Sequence, residues 1–342
     1  MSKLLFLQSD MADPYALYRQ RLAMGPIHKD SDSGSHVVYA YHACRQLLMR
    51  PSILIPPSSS DGLDDYAKNI RAGLVRLQNP PIHTPSSQLK LTPDWSALLQ
   101  QLPITHEFDW VQIINTLPAA GILSTLNLDS PSQNEILNHL PNLLKIMQPS
   151  FTSEDAALVN HATKTIGDKL TKKLPPAAVA TICGLMIQSY DAGKGILCNA
   201  LLHACSNHKP TDWPLFVTEV LRYDSPVHLT RRIADDDIIV DGYEIKKGEP
   251  IVLLLASANR DGSHFHKAQT FDVHRPNNDE LLSLGAGPHA CIAKDFIIGM
   301  TAAAMEWLFK THRHISPIGH NLAYEPLYNV RVPRKLWVHV KG

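Results

Sequence analysis

Leu282-Ser-Leu-Gly-Ala-Gly-Pro-His-Ala-Cys-Ile-Ala293 is the stretch that decides how this chain is read. It is a glycine-punctuated loop that delivers one cysteine to the start of an apolar helix. Gly285 and Gly287 suit a backbone that needs unusual φ values or close approach to a flat ligand. Pro288 stiffens the loop, and His289 and Cys291 project two residues apart. From Ile292 onward, Phe296, Ile297, Met300, Ala303, Trp307 and Leu308 recur at helical spacing. Cys291 is therefore expected at or near a helix N-terminus, where backbone N–H groups and the dipole favour thiolate over thiol. A thiolate held in this way is a nucleophile, a redox centre or a metal ligand. The bland alternative is a buried, inert thiol.

Composition narrows the setting. The 342 residues carry 32 Lys plus Arg against 32 Asp plus Glu, so no global charge argues for nucleic acid or an anionic membrane. A hydrophobic content of 44% is ample for one large core, and a single domain over residues 1–342 is expected. Cys44, Cys183, Cys198, Cys205 and Cys291 are odd in number and scattered without a C-x-x-C pair, which reads as a reducing, cytoplasmic setting. The start, MSKLLFLQSDMADPY, has too short an apolar run for a signal peptide or membrane anchor.

Most of the chain reads as helix. Helical spacing covers Pro14 to Met24, Tyr41 to Met49, Phe108 to Leu126 with an interruption at Pro118, and Ser130 to Met147 with breaks at Pro131 and Pro141. It returns over Ser153 to Leu174 and Trp213 to Tyr223. Pro176 to Cys205 is the longest such run and is apolar nearly all round, so it is expected to be buried. Inside it lies a polar segment, Gln188-Ser-Tyr-Asp-Ala-Gly-Lys-Gly195, whose small residues lower helix propensity by about 1 kcal/mol per Gly relative to Ala. Such a segment reads as a place where ligand or water meets the backbone, or as a local kink with a solvated Asp191. Strands are expected at His36 to Tyr41, in a hairpin over Asp237 to Ile245 turning at Val-Asp-Gly-Tyr, at Pro250 onward, and over Arg331 to Val340. Glu219 and Arg222 stand three apart on one helix face and can pair. His83 follows Asn-Pro-Pro-Ile at the start of a further helical segment.

Taken together these segments resemble the cytochrome P450 family, in its soluble bacterial form, over nearly the whole chain. The family's haem loop, Phe-x-x-Gly-x-x-x-Cys-x-Gly, stands here with Leu284 directly before Gly285 and with Ala293 two residues after Cys291. Glu219-Val-Leu-Arg222 matches the family's Glu-x-x-Arg pair, and Arg275 in Phe-Asp-Val-His-Arg-Pro matches the third charge that locks it. Arg232, His83 and His289 match the partners of the haem propionates. The resemblance implies a P450 fold with haem b (iron protoporphyrin IX) between a long central helix and the cysteine loop, and Cys291 as the axial iron ligand. A thiolate opposite the oxygen site pushes electron density onto iron and favours O–O cleavage. Zinc is a poor rival, because His289 and Cys291 supply only two ligands.

The departures fall on the oxygen side. The family's Ala-Gly-x-(Asp/Glu)-Thr pairs an acid with a proton-relaying alcohol. Here the acid position is Asp191 and the alcohol position is Ala192, leaving water, Asp191, Ser189 or a substrate hydroxyl to supply protons. Four residues beyond His83, Ser87 replaces the usual Arg, and the chain is shorter than is common in the region of the substrate lid. The resemblance thus implies a haem-thiolate monooxygenase that oxidises a small apolar molecule, such as a secondary metabolite, with O2 and electrons from a separate ferredoxin or flavodoxin and its reductase. No flavin or dinucleotide fingerprint is present in the chain. Peroxide-driven turnover is the variant that Ala192 brings into view. The rival class is a catalytically degenerate haem-binding or recruitment protein of the same fold.

Overall fold

The computed structural model describes residues 4–56, 60–78, 91–148, 150–206, 210–319 and 321–341. In chain order the helices are α1 (Pro14–Met24), α2 (Tyr41–Leu48), α3 (Asp65–Gln78), α4 (Trp95–Leu99), α5 (Trp110–Ile113) and α6 (Leu117–Ser124). They continue as α7 (Ser130–Leu144), α8 (Ser153–Leu170), α9 (Pro176–Ser206), α10 (Trp213–Tyr223), α11 (Leu255–Ala258) and α12 (Lys294–Thr311). The strands are β1 (Ile27–Lys29), β2 (His36–Val38), β3 (Ile53–Leu54), β4 (Glu107–Asp109), β5 (Thr230–Ala234) and β6 (Ile238–Val240). They end with β7 (Tyr243–Ile245), β8 (Pro250–Leu253), β9 (His314–Pro317) and β10 (Trp337–Lys341). Helix dominates and the strands are short, so the expectation of a mainly α chain with a minor β part holds.

Packing groups the residues into two compact units. The first comprises Met1–Pro56, Gln101–Ile114 and Asp191–Gly342, and the second Pro57–Gln100 and Asn115–Tyr190. In the first unit a five-stranded sheet runs β1-β2-β8-β5-β3, a three-stranded sheet runs β4-β10-β9, and β6 and β7 form a hairpin. That hairpin turns through Asp241 (φ 50°) and Gly242 (φ 77°), the pair of left-handed residues that Asp-Gly supplies in a type I′ turn. One hydrophobic cluster joins the sheet to α2 through Val38, Leu47, Leu48, Ile53, Ile251 and Leu253. Helix α10 packs on α12. The Arg260 guanidinium lies between the rings of Tyr15 and Tyr223, 3.7 and 3.6 Å from their centroids, and so ties α1 to the end of α10.

The second unit is helical. Helix α8 packs on both α7 and α3, and Ile136, Leu140, Leu143, Val159, Ala162, Ile166 and Leu170 are fully buried. The side chain of Thr152 caps α8 by accepting from the Asp155 N–H at 3.1 Å.

Four local expectations are corrected. Phe108 does not begin a helix. Residues Glu107–Asp109 form β4 and pair with β10 (Val338 opposite Phe108), and the Asp109 carboxylate then caps the short α5. Pro118 opens α6 rather than interrupting it, since a first-turn residue has no N–H partner to lose. Pro141 stays inside α7 on an exposed face of the helix. At the C-terminal end β10 is the centre strand of its sheet, between β4 and β9, and only Trp337–Lys341 is extended rather than the run from Arg331.

Candidate functional site

The cysteine loop leaves a buried root and ends exposed. Leu282 and Ser283 are buried, residues 284–287 are half-buried, and Cys291 is exposed. Two backbone bonds shape the loop: the Gly285 N–H donates to the Leu282 carbonyl at 2.8 Å, and the Cys291 N–H donates to the Leu284 carbonyl at 2.7 Å. Gly287 has φ +65°, and a Cβ there would stand 2.7 Å from the Leu48 carbonyl oxygen and 2.9 Å from Met49 Cα. Glycine is required at that point because the loop lies directly on the end of α2. His289 closes the 3-10 turn Gly287–His289.

Cys291 stands just before a helix N-terminus as expected, but the expectation that this position favours the thiolate is corrected. Helix α12 begins at Lys294, so the backbone amide reaching the sulfur is that of Ala293. Protein crowded around the sulfur pushes the thiol pKa up although the residue is open to solvent, and the Ala293 N–H offsets this only in part. Without a bound metal, Cys291 is a thiol at neutral pH. A coordinated metal removes that proton outright.

Arg232, on β5, is buried at 5% exposure. Its Nη1 donates to Thr230 Oγ1 at 2.6 Å and to the Arg231 carbonyl at 2.8 Å, while Nε has no partner. Burial lowers its pKa to about 10, and among the described residues no carboxylate pairs with it. A buried guanidinium without a counter-ion is costly, and an anionic group of a bound cofactor would satisfy it. Among the described residues no group of three His, Cys, Asp or Glu side chains is arranged to hold a metal ion directly. One presented thiol and one unpaired buried cation fit a haem with its propionates better than a bare metal ion. His83 and Ser87 lie outside the described residues.

Glu219 and Arg222 are not a surface pair. Both side chains are fully buried, and the contact is bidentate, Arg222 Nε to Oε2 and Nη2 to Oε1, each at 2.7 Å. Arg222 Nη1 donates to the Asn259 and Ala268 carbonyls at 2.8 and 3.0 Å. Arg275 stands with Nε 3.8 Å from Glu219 Oε2, and the Asp272 N–H donates to Oε1 at 2.8 Å. Asn278, with its amide nitrogen toward Glu219, adds a bond of 2.9 Å. The structure therefore brings the Glu219, Arg222 and Arg275 charges together. Arg232, Asp191 and Cys291 make no hydrogen bond or ion pair with one another.

On the central helix the acid is occupied. Asp191 pairs with Lys194 at 3.0 Å, and the Lys194 side chain is 9% exposed. The same three-residue spacing that singled out Glu219 and Arg222 would have found this pair. Ala192 offers no hydroxyl, and Ser189 donates to the Met186 carbonyl at 3.3 Å. Helix α9 runs without interruption through the segment. Gly195 serves packing, since a Cβ on it would lie 2.7 Å from Pro226 Cβ and 3.1 Å from the Arg331 carbonyl oxygen.

Comparison with known proteins agrees with this geometry. The family model described as Cytochrome P450 matches residues 214–317, from α10 to β9, which include the Glu219/Arg222 pair and Cys291. A Mycobacterium bovis protein named as cytochrome P450 140 is 47% identical over 83 residues, 24% of this chain and 19% of its own length. The biotin biosynthesis cytochrome P450 of Bacillus subtilis is 30% identical over 177 residues, 49% of this chain and 44% of its own length. The mycinamicin VIII C21 methyl hydroxylase of Micromonospora griseorubida is 23% identical over 338 residues, covering 83% of this chain and 84% of that one. The matched stretch thus spans well under half the length of the first two relatives. Among solved structures, cytochrome P450 CREJ superposes with a TM-score of 0.79 at 19% identity, covering 100% of this chain and 99% of that one. P450BioI in complex with an acyl carrier protein gives 0.78 at 21% identity, covering 98% and 100%. The cysteine loop and the buried Glu/Arg pair both lie within residues 214–317. Over residues 214–317 the chain matches the cytochrome P450 family model, and its fold is that of the P450 structures it superposes on. No helix among the described residues is long and apolar enough to cross a membrane.

Proposed function

We propose that the chain acts as one P450-like domain, a haem-thiolate monooxygenase that oxidises a small apolar molecule. One oxygen atom enters the substrate and the other leaves as water, with two electrons supplied by a separate redox protein and two protons by solvent. The observation that carries this reading is the cysteine loop, closed by the bond from Cys291 N–H to Leu284 carbonyl and leaving Cys291 an exposed residue. In this reading Cys291 ligates the iron, the Ala293 N–H tempers the charge on the sulfur, and Arg232, with His289 and His83, holds the propionates. A haem held by these residues would supply oxygen activation, which a thiolate ligand favours.

The residues of the central helix support an unusual supply of protons. Ala192 has no hydroxyl, Asp191 is committed to Lys194, and Ser189 is committed to the Met186 carbonyl. None of the three stands ready as a relay, which favours protons from water, or hydrogen peroxide, which brings its own, as oxidant. The same observation favours the second reading, a haem-binding protein of this fold that does not turn over. Three measurements separate them: the carbon monoxide spectrum of the reduced, haem-loaded protein, turnover with a surrogate ferredoxin system, and turnover with peroxide. A thiolate-type band with turnover by either route supports the enzyme. A thiolate-type band without turnover by either route supports the binding protein, and absence of that band sinks Cys291 ligation. Product formed per NADPH consumed should rise in Ala192→Thr. Tight coupling already in the unaltered chain would refute the relay argument.

A further inference from the structure

We infer that Asn259 and Ser283 are positioning residues that fix the buried root of the Cys291 loop to the Glu219/Arg222 cluster. The inference deepens the haem-thiolate reading and rests on it for its functional meaning, although the contacts stand without it.

Asn259 is fully buried just past the end of α11; its N–H donates to the Leu255 carbonyl at 2.9 Å, and its three other polar groups reach different neighbours. Its backbone carbonyl accepts from Arg222 Nη1 at 2.8 Å. Its side-chain Oδ1 accepts from the Leu282 N–H at 2.6 Å, and Nδ2 donates to Ser283 Oγ. The Ser283 hydroxyl passes its own hydrogen to the Leu221 carbonyl, on the last turn of α10. The single hydrogen of Ser225 is shared between Ser283 Oγ and the Val227 carbonyl, each at 2.8 Å. Asparagine suits this place because one end must accept from an amide and the other must donate to a hydroxyl. Aspartate would remove the donor, and leucine would orphan both neighbours.

The root then governs the loop. Leu282, fixed by Asn259, accepts from the Gly285 N–H, and Leu284 accepts from the Cys291 N–H. Beyond the cysteine, α12 packs its buried Phe296, Ile297 and Met300 face into the core, in contact with α10. The loop is therefore held at both ends on α10, at one end by side-chain packing and at the other by this buried polar network. A fully satisfied network of this kind fixes one geometry, because any shift leaves a buried group unpaired. The inferred task of Asn259 and Ser283 is to keep the sulfur of Cys291 at one height above its loop.

Native-state amide hydrogen exchange on the full chain without haem tests this directly. In the unaltered protein the Leu282 amide should exchange as slowly as Val220 and Leu221 of α10, far more slowly than Ala290. In Ser283→Ala and Asn259→Asp, protection at Leu282 and Cys291 should fall about tenfold, the equivalent of one lost buried hydrogen bond, with α10 unchanged. Ser283→Thr, which keeps the hydroxyl, should restore it. After haem loading, the fraction of the reduced carbon monoxide complex showing the thiolate-type band should drop in the first two variants and recover in the third. Leu282 exchanging with Ala290 in the unaltered chain would overturn the inference, and so would unchanged protection in both variants. Loss of the thiolate-type band in the unaltered protein would instead overturn the haem-thiolate reading, and the exchange data would still decide the anchoring.

Discussion

Removing the charge of Glu219 should cost more than any other single isosteric change in the first unit. The carboxylate is fully buried and takes charge-assisted bonds from Arg222 at both oxygens, a backbone bond from Asp272 and a further approach from Arg275. The two guanidiniums are close enough to share the Thr270 carbonyl, at 3.2 and 2.9 Å. Burial already lowers the pKa of Arg275 and Arg222 lowers it further, while Glu219, and after it Asp272, raise it. Glu219→Gln would leave two buried cations facing one another and turn an amide N–H2 toward their donors. Breaking a buried pair on one side costs about 3–5 kcal/mol. For a chain of 342 residues, at about 1.4 °C per kcal/mol, the melting temperature should fall by roughly 4–7 °C. Urea unfolding of the protein without haem, followed by tryptophan fluorescence, measures the cost, since Trp213 sits at the start of α10. The control is Glu306→Gln, which breaks the exposed Lys310 pair at 2.6 Å and should cost no more than about 0.5 kcal/mol. A Glu219→Gln cost below about 1 kcal/mol, or one equal to that of the exposed control, would refute the reasoning from burial.

Three further outcomes are expected. Arg232→Met should leave the protein without haem as stable as before or more so, because it removes an unpaired buried Nε, yet weaken haem retention about tenfold or more. Haem transfer kinetics beside urea unfolding check both halves, and a destabilised apoprotein with unchanged haem retention would contradict the prediction. Glu249, held to about 2 by Lys29, the Lys246 N–H and His36, has its folded pKa depressed from 4.5, so its contribution is present above that range and disappears as pH falls through about 2. The stability gap between the unaltered chain and Glu249→Gln should accordingly close between those limits, and a gap independent of pH would count against it. Gly195→Ala normally gains about 0.5–1 kcal/mol in a helix interior, but here it should lose about 1–3 kcal/mol to the clash with Pro226 and the Arg331 backbone, read from urea midpoints.

Much of the fold was legible because its signals are local. Helix α10 was bounded correctly at Trp213 and Tyr223, where Asp212 caps the first turn. The Val240-Asp-Gly-Tyr243 hairpin turns where Asp-Gly allows it, and the long apolar α9 runs as its composition predicts. Strands β3 and β4 were not legible, being two or three residues long with partners at Ala234 and Val338, far along the chain. Only tertiary pairing makes such segments extended. In the site, residue identities were legible and electrostatic states were not. The full burial of Glu219, the unpaired guanidinium of Arg232 and the raised thiol pKa of Cys291 all depend on what surrounds them. The Asp191–Lys194 pair was within reach of the sequence, since its spacing is the ordinary one for neighbours on a helix face.

The close seat of Gly195 against Pro226 separates two properties that are commonly joined in one residue. Where α9 sits, from Asp191 on, is decided by a contact between a missing side chain and a proline ring, with no charge or hydroxyl involved. In the proposed reading, what α9 would do toward oxygen rests one turn earlier, at residues 191 and 192. Changes of chemistry at those two positions therefore leave the helix where it is. A chain built in this way can trade an alcohol for an alanine, and trade back, as single independent steps. In that reading the oxygen-side chemistry would be a replaceable fitting on a mount set by Gly195.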